Sequence, residues 1–200
     1  MHALAEWKAL LNVIFSHHTD GALRAAVSLA NSMSSQELLS TEHLKRFYDE
    51  FGYTDRRDGE QEELSTVQAV RPTLRALLTA RGEDAVAIVN NVLSEIRAVP
   101  RLVRHDPWGW HVHAVAPSCD FATRVLVETA MAMIDVIRAD EQSRLSTCEQ
   151  ANCCRIVLDL SRNRSKRFCS TGCGNRAAVS VYRARKKGHA VAKSPKVDRQ

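Results

Sequence analysis

Five of the chain's six cysteines fall in one short stretch, CEQANCCRIVLDLSRNRSKRFCSTGC, from Cys148 to Cys173. Four of them form two close pairs, Cys148-x4-Cys153 and Cys169-x3-Cys173, with fifteen residues between the pairs. Two short-spaced pairs separated by about 12 to 20 residues are the arrangement of a structural zinc site. Each pair occupies one tight turn and offers two thiolates. Around a tetrahedral ion with bonds of about 2.3 Å, the sulfurs must lie roughly 3.5 to 4 Å apart. The segment between the pairs has to fold back on itself, and RIVLDLS carries the apolar alternation of a hairpin strand. One structural Zn2+ on Cys148, Cys153, Cys169 and Cys173 is the cofactor expected. Cys154 directly follows Cys153 and is read as a bystander; an exchange of Cys153 for Cys154 is the alternative ligand set. About 50 residues bury too little surface to fold alone, and a metal offsets that deficit.

A zinc ion with four thiolates keeps a net charge of −2, and the arginines around the cluster ease it. They also change the charge balance of the chain. From Cys148 to Gln200 there are 13 Lys and Arg against 3 Asp and Glu; the first 147 residues hold 15 against 20. An acidic body with a basic C-terminal quarter points to a nucleic-acid partner for that quarter. Two basic elements flank the thiols. One is the loop SRNRSKR, with Arg162, Asn163, Arg164, Lys166 and Arg167. The other is GNRAAVSVYRARKK, which has no Pro or Gly between Gly174 and Gly188 and reads as a helix. At about 100° per residue, Arg176, Ser180, Arg183 and Lys187 share one face. Ala178, Val181 and Tyr182 lie opposite, and are expected to pack on the hairpin or the body. Such a helix fits a major groove, where Arg reads guanine and Lys and Ser hold phosphates. Asn175 is read as a helix cap, with adenine contact as the alternative.

The first 147 residues are expected to be mostly helical. Leu4, Trp7, Leu10, Leu11 and Ile14 recur at helical spacing. Thr19 and Asp20 are candidate caps for a helix with Leu23, Ala26, Val27, Ala30 and Met33 on one stripe. Thr41 is the candidate cap of a short helix with Leu44, Phe47 and Phe51. Leu64, Val67, Val70, Leu74, Leu77 and Leu78 form another stripe, which Pro72 should kink or divide. Val86, Val89, Val92, Leu93 and Ile96 mark the next helix. RLVRHDPWGWHVHAV has two alternating runs and predicts a β-hairpin. Its His111 and His113 share a strand face. With His105 and Trp110 they form a candidate ligand pocket, and hydrogen-bonded hairpin histidines are the plainer alternative. The long helix after Cys119 reads as the most buried. Cys119 is read as a quiet thiol at that helix start, with a redox sensor as the alternative. The fold class is therefore mainly α with a small β-hairpin: a helical N-terminal domain (1–145), a four-cysteine zinc finger of β-hairpin and basic helix (146–188), and a flexible basic tail (189–200).

The segment from Cys148 to Lys187, with its Cys173-Gly174-Asn175-Arg176 motif, closely resembles the CGNR zinc finger. The stretches HHTDGALRAAVSLANS, VNNVLSEIRAVPRLVRHDPWGWHVHA and AMAMIDVIRADEQSRL resemble the ABATE domain that usually accompanies it, in its actinobacterial branch. The resemblance covers nearly the whole chain after Phe15. It implies a stress-linked transcriptional regulator and places the zinc ligands on Cys148, Cys153, Cys169 and Cys173. Cys154 departs from the family pattern, which often has a small residue or Asp there. A DNA-binding regulator is the expectation, its helical domain sensing a small-molecule effector or forming a homodimer. One finger covers roughly 600–1,000 Å², so useful specificity favours paired half-sites. An RNA- or protein-binding adaptor uses the same finger. A metalloenzyme built on the histidine hairpin is the third class, but no nucleophile elbow, phosphate loop or metalloprotease helix motif occurs, and no enzyme is expected. No run of about 18 apolar residues occurs, so no membrane partner is expected. The chain shows no secretory signal pattern, and a cytoplasmic, nucleoid-associated location is the expectation.

Overall fold

The computed structural model describes residues 15–35, 37–105 and 109–191. The helical spacing over Leu4 to Ile14, the hairpin tip at 106–108 and the tail from 192 lie outside the described residues. Ser16, rather than Thr19 or Asp20, opens the first helix, α1 (His17–Ser35): its hydroxyl accepts the Thr19 amide at 3.1 Å. Thr19 is free to donate its own hydroxyl to Asp135 at 2.6 Å. Ala22, Leu23, Ala26, Leu29 and Ala30 face the core, whereas Met33 drifts off the stripe and is 47% exposed. Ser40, one residue before the predicted Thr41, caps α2 (Thr41–Glu50) through the His43 amide. In both cases a hydroxyl one or more residues upstream takes the amide, and Ser40 has the extended backbone that a cap needs.

The stripe around Pro72 is divided rather than kinked. Helix α3 (Gln61–Ala69) stops and α4 (Arg71–Thr79) restarts after Val70, with Pro72 in the first turn where its missing N–H costs nothing. Helix α5 (Gly82–Glu95) buries Ala85, Val89 and Val92, while Val86, Asn90 and Asn91 face outward. Strands β1 (Arg101–His105) and β2 (Gly109–His113) form the predicted antiparallel hairpin. Helix α6 (Phe121–Arg138) is the central element and packs against α1, α3, α4 and α5. Asp120 caps it by accepting the Thr123 amide at 2.9 Å. Cys119 therefore lies outside the helix, and burial together with the Asp120 carboxylate pushes its thiol up, the reverse of a reactive sensor. Phe121 meets Phe47, Tyr48 and Tyr53 at ring-centroid separations of 4.8 to 6.2 Å.

Strands β3 (Leu145–Thr147) and β4 (Ile156–Leu158) form a second antiparallel pair. The alternation in RIVLDLS is present, but all three β4 residues are buried. Its two faces serve two cores: Ile156 and Leu158 join the helical core with Leu145, while Val157 joins a small cluster with Cys148 and Cys173. Body side chains hold the strand pair in place. The Asn31 carboxamide accepts the Ile156 amide at 2.7 Å and donates to the Ile156 carbonyl at 2.9 Å. Arg81 donates to the Leu145 carbonyl, and Arg144 to those of Asp159 and Ser161.

Candidate metal centre and basic helix

The turn after β3 carries the first thiol pair. Cys148 donates its amide to the Arg155 carbonyl at 2.9 Å, and Cys153 donates to the Gln150 carbonyl at 3.0 Å. Asn152 takes a left-handed conformation (φ 63°), which closes the turn between them. The second pair straddles a helix start. Ser170 caps α7 (Thr171–Val191) by accepting the Cys173 amide at 3.2 Å. Cys169 thus lies just outside the helix and Cys173 within its first turn.

The Sγ atoms of Cys153 and Cys169 are 3.7 Å apart, those of Cys169 and Cys173 3.5 Å, and those of Cys173 and Cys153 3.9 Å. All four sulfurs, Cys148 included, lie within 4.8 Å of one another. A tetrahedron with bonds of about 2.3 Å has edges of about 3.8 Å, and a disulfide would need about 2.05 Å. The quartet fits zinc and excludes cross-linking in this geometry. Without metal, burial pushes Cys169 up to about 12, while the Ser170 hydroxyl and the neighbouring thiols hold Cys173 down to about 7. Zinc must therefore displace protons on entry, and it supplies a fixed cross-link between β3–β4 and α7. Cys154 is exposed and outside the quartet, as expected of the bystander; its carbonyl accepts Arg75.

The basic elements differ from their predicted arrangement. Asn175 is no cap: Ser170 has that role, and Asn175 lies exposed inside α7. Ala178, Val181 and Tyr182 do not pack on the hairpin or body. Every described side chain of α7 after Ala177 is exposed, Tyr182 at 67%. The helix runs on through Gly188 to Val191, so the tail's first three residues are helical. Ser180 and Arg183 share an open groove with Asn175, Arg176, Val179 and Ala184. Lys187 continues the helix, but its side chain lies outside the description. Arg176 turns back to the thiol quartet, its Nη2 donating to the Cys173 Sγ at 2.9 Å.

In the loop, Arg162 and Asn163 are exposed. Arg164 pairs with Glu141 at 2.7 Å, Lys166 donates to the Leu158 carbonyl at 3.1 Å, and Arg167 forks onto Glu149 and lies over the Phe168 ring. These three brace the finger in addition to any outward role. Asp159, which sequence reading passed over, organises this loop by accepting the Ser161 and Lys166 amides at 2.8 and 2.7 Å. Its spacing of two from Ser161 was the available signal.

The candidate ligand pocket does not assemble around all four residues. The register pairs Arg104 with Trp110 and Val103 with His111. Successive residues of a strand face opposite ways, so Trp110 is on the face away from His113. Trp110 is 69% exposed beside exposed Leu102 and Val112. His113 stacks on His18 at 6.0 Å, and the side chains of His105 and His111 are outside the description. The cysteine quartet is the metal-ligating cluster found among the described residues. No described helix is long and apolar enough to cross a membrane.

Comparison with known proteins agrees with this geometry. Residues 23–140 match the ABATE family model, described as "Putative stress-induced transcription regulator", and residues 144–186 match the model of the CGNR zinc finger. No curated protein matches the chain. The matched stretches contain the helical core and all four thiols, and the sulfur spacing suits a single structural zinc. The chain belongs to the ABATE family and carries a CGNR zinc finger.

Proposed function

We propose that the protein is a DNA-binding transcriptional regulator acting by recognition rather than catalysis. Zinc fixes α7, the exposed face of α7 enters the major groove, and the helical body receives an effector or a second copy of the chain. The observation that carries this reading is the helix itself. After Ala177 every described side chain of α7 is exposed, and the helix keeps Ser180 and Arg183 on one solvent-facing side. A surface helix normally buries an apolar stripe, and one without it is suited to an external polyanion. The family description supports regulation in general terms. Exposed Val179 beside Arg183 suits contact with a thymine methyl group next to a guanine. Regulation from cytoplasm and nucleoid, on paired half-sites, follows from the same reading.

Fluorescence anisotropy on a randomised duplex pool, across salt and after chelation, tests it. Enrichment of a motif, loss of binding on chelation, and a salt slope reduced by about one in Arg183→Ala are the expected results. Equal binding to duplex and single-stranded RNA pools would replace DNA reading with an adaptor role. No binding to either would overturn the nucleic-acid reading.

A further inference from the structure

Arg176 belongs, by its position on the helical wheel, with Ser180, Arg183 and Lys187, and lines the same groove, but its guanidinium reaches back to the thiols. Side chains on a helix lean toward its N-terminus and cover the preceding turn. Three residues back, that turn holds Cys173. Arg176 Nη2 donates to the Cys173 Sγ at 2.9 Å, and the rest of the fork lies over Gly172, where an added Cβ would stand 3.5 Å from Nη1. The nearby loop cations are engaged elsewhere, Arg164 with Glu141 and Arg167 with Glu149. Several donors reach the ligand sulfurs among the described residues: the Arg176 guanidinium and the Ser170 hydroxyl on Cys173, the Arg155 amide on Cys153, and the Cys169 amide, which lies 3.4 Å from the Cys148 Sγ. The hydroxyl and the amides carry no net charge. Arg176 is thus the cationic group that the fold places on a thiolate of a site whose four sulfurs leave zinc at −2.

We propose that Arg176 is a positioning residue of the zinc centre, a charge-assisted donor to the Cys173 thiolate that slows metal loss and locks the first turn of α7 onto the site. The reading face of α7 then begins at Val179, Ser180 and Arg183. This role holds whatever the partner of α7 is, so it stands or falls apart from the DNA reading.

The test uses the full chain loaded with zinc, and separately with cobalt, in Arg176→Ala, Arg176→Lys and Arg183→Ala. Outer-shell partners of metal ligands are typically worth about 10–100-fold in metal affinity. Arg176→Ala is expected to hand zinc to a chromophoric chelator at least about tenfold faster. It should also move the thiolate-to-cobalt charge-transfer band to lower energy, since a hydrogen bond removed from sulfur raises the sulfur donor level. Arg176→Lys should fall between Ala and the parent chain, and Arg183→Ala should match the parent on both readouts. Zinc transfer at the parent rate with an unmoved cobalt band in Arg176→Ala overturns the assignment. If that variant does not fold with metal, Arg176→Lys decides it: a parent-like band and transfer rate overturn the proposal, and a shifted band with faster transfer supports it.

Discussion

Asn31→Ala separates the finger from the body with one change. The Asn31 carboxamide takes both main-chain groups of Ile156, and Ile156 is 1% exposed. Alanine leaves a buried N–H and a buried C=O without their partner. Each unsatisfied group costs about 1–3 kcal/mol. Asn31 itself is only half-buried, so water reaches part of the gap and the sum should be about 2–4 kcal/mol. For a chain of this length, about 3 kcal/mol corresponds to a fall in Tm of about 6–12 °C. The assay is thermal unfolding of the zinc-loaded protein by circular dichroism, with zinc transfer to a chelator recorded in parallel. Transfer should speed up, because β4 carries Val157 against Cys148 and Cys173. Asn163→Ala, on the exposed loop, is the control and should change neither. A Tm loss below about 2 °C in Asn31→Ala with unaltered zinc transfer would refute the view that this latch holds the finger to the body.

Four further outcomes are expected. Chelation should lower the stability of the helical body as well as the finger, read as a lower urea midpoint for the α-helical signal, because Leu145, Ile156 and Leu158 leave the helical core when the strands come away. Gly174→Ala should fold and retain zinc, since its φ is not left-handed and an added Cβ would meet Phe168 at an ordinary 3.5 Å; thermal melts and zinc content check this, and a glycine needed for close approach to DNA would show instead as lost duplex binding. Glu128 is pushed up to about 7, chiefly by burial, so its neutral form favours the fold: that contribution is complete below about pH 4.5 and disappears as pH rises through about 7. Glu128→Gln should therefore raise the unfolding free energy from urea titration by about 1–3 kcal/mol at pH 8 and leave it near the parent value at pH 4.5. Glu149→Ala, which frees Arg167, should leave zinc content unchanged in metal analysis and Tm close to that of the parent, as exposed ion pairs do.

What the sequence revealed and what it hid divide along the range of the interactions. The cysteine quartet was legible because each pair closes within one turn and only the hairpin between them had to fold back. Pro72 was legible because the clash it causes is local. The β1–β2 hairpin was legible from alternation, and the same alternation puts Trp110 and His113 on opposite faces, whereas nearness in sequence alone groups them. The caps were misplaced by one to five residues, since Ser16, Ser40 and Ser170 compete with neighbouring Thr, Asp and Asn and only backbone angles decide. The double burial of β4 was hidden, as nothing in RIVLDLS says that a second surface covers each face. Arg164 and Arg167 read as free cations because their partners Glu141 and Glu149 lie 23 and 18 residues away.

Because β4 belongs to two cores at once, metal occupancy and the state of the body are linked variables. Linkage is reciprocal: whatever binds the body more tightly with the strand seated raises zinc affinity by the same factor, and zinc raises affinity for that ligand equally. The finger can then report on the body without any hinge between them, by gaining or losing its metal. In the opposite direction, the same strand carries a change at the metal to whatever surface the helices present.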